Sequence, residues 1–97
     1  MKQNRSKMKQ SLLSLRKEID CVDSNILDLL AKRMKISGKV AKFKKKQGIP
    51  INQPKREREV LKQLKKQAKN KKINGKLIES IYTNIMKQSK EIQKKCQ

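Results

Sequence analysis

The sequence predicts an all-α chain of three helices, the first very long, paired as an intertwined homodimeric helical bundle. Three observations carry this. Apolar residues recur in alternating steps of three and four from Leu12 to Phe43. No segment alternates with the period of two that marks a strand. The first helix is also too long for the rest of its own chain to cover.

In that helix Leu12, Leu15, Ile19, Val22, Ile26, Leu29, Arg33, Ile36, Val40 and Phe43 form a heptad seam. The spacing predicts a helix over about residues 9–46, preceded by a basic tail at 1–8 and ended by Gly48 and Pro50. At ~1.5 Å per residue it is roughly 57 Å long. A compact domain of this size has a radius of gyration near ~13 Å. A second copy of the chain is the simplest cover, so a homodimer is expected, with one domain over residues 9–97.

The second helix is expected to start at Pro54, because proline suits the first helical position, where its missing N–H is no loss. Its apolar side is Val60, Leu61, Leu64 and Ala68, and it ends within residues 69–72. Asn74 is a good N-cap for the third helix. That helix carries Leu77, Ile78, Ile81, Tyr82, Ile85, Met86, Ile92 and Cys96 on one side.

Composition narrows the chemistry. The 97 residues carry 28 basic and 8 acidic side chains, a formal charge of +20, which attracts anions of every kind. There is no histidine, and the two cysteines, Cys21 and Cys96, form no CxxC pair. Zinc sites and a disulfide framework are therefore not expected. Two free thiols suit a reducing cytosol. The basic start runs into SLLSLRKEID, too polar for a signal peptide, and no run approaches the ~20 apolar residues of a membrane span. We expect a cytoplasmic protein with no membrane segment.

The informative positions are polar side chains on apolar stripes. Arg33 interrupts the seam between Leu29 and Ile36. A buried guanidinium needs an anion; a neighbouring carboxylate or escape to water would also satisfy it. Lys44 lies eleven residues on, about 16 Å along the same face. It sits in KFKKK, where most lysines are solvated. Ser89 falls on the line of Ile78, Tyr82, Ile85 and Ile92, and Gln93 follows one turn later. A serine there is often satisfied by backbone alone. Glu57 aligns with Leu61, Leu64 and Ala68, although a glutamate in a first turn also complements the helix dipole. Lys35, Ile36 and Ser37 carry no signal. Together these groups describe a polar pocket in a bundle core, suited to a small anion and to electrostatic stabilisation of charge.

At this point four blocks, LRKEIDCVDSNILDLLAKR (15–33), VAKFK (40–44), GIPINQPKREREVL (48–61) and IMKQSKEIQ (85–93), resemble the all-helical chorismate mutases. The resemblance covers residues 12–96. It implies an isomerase that rearranges chorismate to prephenate, on the route to phenylalanine and tyrosine, without cofactor or covalent intermediate. By the same resemblance Arg33 pairs with a substrate carboxylate. Lys44 reaches the ether oxygen and a carboxylate, and Gln93 the ether oxygen from the other side. Glu57 accepts from the ring hydroxyl, Ser89 contacts a carboxylate and Arg56 supports the site. Arg16 enters the neighbouring subunit's site. It is 17 residues before Arg33, roughly 25 Å and ~100° away on the helix, so an antiparallel partner suits it better than its own pocket.

One letter departs from the family pattern. Gln53 stands where many members have aspartate, a stronger N-cap; its position still lines the site. The sequence ends at Gln97, which suggests a monofunctional enzyme. The enzymatic alternative is an isochorismate-pyruvate lyase on the same fold. A basic helical nucleic-acid-binding protein is the alternative of another class. Its lysines are spread round the helices and aromatic residues for stacking are nearly absent, so only nonspecific binding is expected. A coiled coil without chemistry leaves Glu57, Ser89 and Gln93 unexplained.

Overall fold

The computed structural model describes the backbone of residues 2–96 and the side chains of residues 11–96. Three helices follow in order: α1 (Lys2–Gln47), α2 (Pro54–Asn70) and α3 (Gly75–Cys96). Among the described residues there is no strand. Helix α1 runs to Lys2, where sequence reasoning starts it near residue 9; the other two match their expected bounds closely. The chain divides into two units, one up to Arg33 and one from Met34 onwards.

The ends of the helices follow from local chemistry. Gly48 takes φ +65°, and the N–H groups of Gly48 and Ile49 return to the carbonyls of Lys45 and Lys44. This is a Schellman cap, and it satisfies carbonyls that α1 would otherwise leave open. Nothing lies within 4 Å of a Cβ built on Gly48, so the glycine answers to conformation and not to space. The end of α2 repeats the motif without a glycine. Lys72 stands at φ +59°, and Ile73 N–H donates to Ala68 O at 2.8 Å.

The starts of α2 and α3 differ. The Asn74 side chain accepts from Lys76 N–H at 2.8 Å, capping α3. Gln53 occupies the N-cap of α2 at φ −130° and makes no side-chain capping bond. Pro54, at the first helical position, removes one of the donors that such a cap would serve.

In the second unit α1 turns a narrow face to α3. Ser37 and Ala41 are buried, and a Cβ on Gly38 would lie 3.5 Å from Cys96 Sγ. Ala68 of α2 and Ser89 and Gln93 of α3 complete the buried set among the described residues. The larger apolar groups of α2 and α3, including Val60, Leu64, Ile78 and Ile92, are half-buried around it.

The heptad seam is a different face. In this second unit Ile36, Val40 and Phe43 are exposed, Phe43 to 60%. In the first unit Leu12, Leu15, Ile19, Val22, Ile26 and Leu29 are each about half exposed or more. The helix thus has a small-residue face that packs against α3 within the second unit and an aliphatic face that is exposed.

The left-handed lysine generates a prediction. An L-residue in that region costs roughly 1–2 kcal/mol that glycine avoids, less the larger entropy glycine loses on folding. Lys72→Gly should raise the unfolding free energy by about 0.5–1 kcal/mol, read by urea denaturation at fixed protein concentration.

Candidate active site

The site grows from the narrow crossing of α1 and α3. With Ser37, Gly38 and Ala41 on one side, no bulky side chain holds the two helices apart. The hydroxyls of Ser37 and Ser89 hydrogen-bond across this crossing, both buried. Two turns further along α1 and one turn further along α3, Lys44 and Gln93 meet. Lys44 Nζ donates to Gln93 Oε1 at 2.8 Å and to the Ile51 carbonyl at 3.0 Å. The Schellman cap at Gly48 reverses the chain, and the segment after it brings Ile51 back to Lys44.

The third component is Glu57, in the first turn of α2. Its Oε1 pairs with Lys90 Nζ at 2.8 Å, and both side chains are about 30% exposed. The carboxylate also acts on Lys44. Burial pushes the Lys44 ammonium below its ordinary pKa of 10.5, and the negative charge of Glu57 pulls it part of the way back. Beside these groups lies a cleft of ≈ 490 Å³ between α2 and α3, floored by Leu61 and Met86 and edged by Glu57 and Lys90. A smaller one of ≈ 260 Å³ reaches from Ile51 and Asn52 to Lys90 and Lys94.

Of the residues singled out by sequence, Lys44, Glu57, Ser89 and Gln93 thus lie within the second unit on inward or half-buried faces. Gln53 is half-buried at the start of α2, while Arg56 is exposed on its first turn. Arg16 and Arg33 belong to the first unit, Arg16 exposed and Arg33 half-buried. Two residues escaped the sequence reading. Ser37 looks featureless in a run of Lys35, Ile36 and Ser37, yet it is 5% exposed and bonded to Ser89. Lys90 is one lysine among 28 basic residues, and only the fold shows that it faces Glu57. The signal available for Ser37 was its place seven residues before Lys44, two helical turns away on the same side.

Chemically this is a cationic and amide-rich set with one carboxylate. Among the described residues no group of three or more His, Cys, Asp or Glu is placed to hold a metal ion. No helix there is long and apolar enough to cross a membrane. Lys44 brings an ammonium with three N–H groups, two of them committed to Gln93 and Ile51. Because Gln93 uses its oxygen on Lys44, its amide NH₂ is the end left to donate. Two donors held in this way suit an oxygen on which negative charge develops.

Known proteins share both the sequence and the fold. The family model described as chorismate mutase type II matches residues 15–94. The chain is 33% identical over 87 residues to a chorismate mutase of Methanocaldococcus jannaschii, covering 90% of this chain and 88% of that one. It is 38% identical over 82 residues to a T-protein of Enterobacter agglomerans, covering 84% of this chain but only 22% of the relative. The chain therefore spans about a fifth of that longer relative. Among solved structures, a conserved hypothetical protein from Pyrococcus furiosus superposes with a TM-score of 0.67 at 40% identity, over 86% of this chain and 95% of the other. With most of its length matched by the family model, and with the three-helix order and the meeting of Lys44 with Gln93 already in place, the chain belongs to the type II chorismate mutases.

Proposed function

We propose that this chain rearranges chorismate to prephenate, acting over a domain of residues 9–97 in the cytoplasm as a homodimer. The observation that carries the reading is the pairing of Lys44 with Gln93 in a chain of this family. The reaction is unimolecular: the ether C–O bond breaks while a C–C bond forms, and no atom is gained or lost. Negative charge builds on the ether oxygen as the bond breaks. The remaining Lys44 N–H and the Gln93 amide donate to that oxygen, and they bind it more strongly in the transition state than in the ground state.

The other residues hold the substrate in its compact reactive form. Arg33 and Ser89 receive carboxylates, the positive charge of Lys44 attracts one of them without a further hydrogen bond, and Glu57 accepts from the ring hydroxyl. Arg56 and Gln53 line the entrance to α2, Gln53 through its backbone position more than its side chain. The exposed aliphatic seam of α1 supports the dimer, since leaving that many leucines and isoleucines in water is unfavourable by ~25 cal/mol per Å². In such a dimer Arg16 serves the partner's site.

Purified protein mixed with chorismate should deplete it and yield prephenate, with isochorismate tried alongside as a substrate for the lyase reaction. No turnover above background by folded protein overturns the proposal. Gln93→Ala should lower kcat by roughly 10²–10³-fold, as for other donors to a developing oxyanion, with circular dichroism unchanged.

Lys44 must be protonated to donate. Its share of the charged form falls as pH rises through its lowered pKa, so kcat/KM, which follows the free enzyme, should decline on an alkaline limb centred below 10.5. A pH–rate profile flat up to that value contradicts this role.

A third measurement tests the shared site. Arg16→Ala and Arg33→Ala chains should each be nearly inactive. After subunit exchange, half the dimers are mixed and each has one intact site of two, so about a quarter of wild-type activity should return.

A further inference from the structure

We propose that Lys90 is a positioning residue of this site: its ion pair with Glu57 holds the carboxylate where it receives the substrate's ring hydroxyl. The inference rests on the role given to Glu57 above and extends it to a residue that the sequence does not single out.

Glu57 sits in the first turn of α2, where a free glutamate is drawn back to the exposed N–H groups of its own helix. Those groups are not taken by the side chain of Gln53, which makes no capping bond. Lys90 opposes that pull from α3. Its ammonium binds Glu57 Oε1 at 2.8 Å and draws the carboxylate across the cleft between the two helices. One oxygen is then fixed, and the second keeps its lone pairs for a hydroxyl donor.

The choice of Lys90 among its neighbours is also geometric. Lys87 and Lys94, a turn to either side, are exposed, whereas Lys90 is half-buried. Lys94 takes the adjacent Glu91 at 3.5 Å, which leaves Glu57 as the carboxylate Lys90 meets. Lys87 and Lys90 both border the cleft at Glu57 and the one at Ile51 and Asn52, but it is Lys90 whose ammonium meets Glu57. The field of Glu57 also reaches Lys44 on α1.

The test compares kcat/KM for chorismate in wild type, Lys90→Met and Lys90→Arg, each as the full chain. Methionine keeps the length of the side chain and removes its charge. It should lower kcat/KM roughly fivefold, the worth of a half-exposed ion pair, mainly through KM, because the hydroxyl contact exists before and during the reaction. Arginine should recover at least half of the loss. In a Glu57→Gln background the methionine change should add little, since the carboxylate it would position is gone. Equal activity of Lys90→Met and wild type overturns the proposal, as does an equal loss in both backgrounds. If Glu57→Gln is too slow to measure, failure of arginine to rescue overturns it. Inactive wild-type protein would instead sink the chorismate reading itself, so the two failures are distinct.

Discussion

The close approach of α1 and α3 is the constraint from which the rest of the second unit follows. Ser37 can touch Ser89, and Lys44 can reach Gln93, only because the crossing carries serine, glycine and alanine where helices usually place leucine. Small residues at a crossing sacrifice buried apolar area, and the hydrogen bonds between serines and between lysine and glutamine replace part of it. The chain thus builds its core from the same groups that give the site its chemistry. A larger aliphatic at position 37 or 41 would improve burial locally and push the donors apart.

The charge of the chain gives that core its second requirement. In a chain of +20, a lysine turned inward also gives up the water that screens its charge. Lys44 is tolerated because two oxygens and the field of Glu57 are organised round it. Its lowered pKa is the residue of that contest, and the same desolvation makes each of its hydrogen bonds stronger than a surface lysine's. Elsewhere charge is handled in the ordinary way, as in the exposed pair of Lys65 and Glu79, which contributes little on its own.

Much of this was legible in the sequence because the signals were local. Gly48, Pro54 and Asn74 each act within one turn, and each ends or starts a helix as its chemistry dictates. The polar interruptions at Lys44, Ser89 and Gln93 were legible because apolar periodicity supplies a background against which they stand out. The rest depended on contacts between helices. Lys90 is indistinguishable from its neighbours until α2 is laid beside α3. Ser37 was passed over because the heptad pattern draws attention to Ile36, Val40 and Phe43, which turn out to be exposed, and away from the small-residue face one position round. Lys72 takes a conformation that favours glycine, and no rule of composition marks such a lysine in advance.

The acceptor at Ile51 has a different kind of consequence. Lys44 is held partly by a main-chain carbonyl, set by the turn that Gly48 begins. Every amino acid at position 51 supplies that oxygen. The contact is therefore free to persist while the letter at 51 changes, and a scan of side-chain substitutions there passes over it. What would remove it is an altered path of the chain between Gly48 and Pro54, by insertion, deletion or loss of the left-handed glycine. In this loop it is length and backbone shape that heredity has to preserve, more than the identity of the residue at 51.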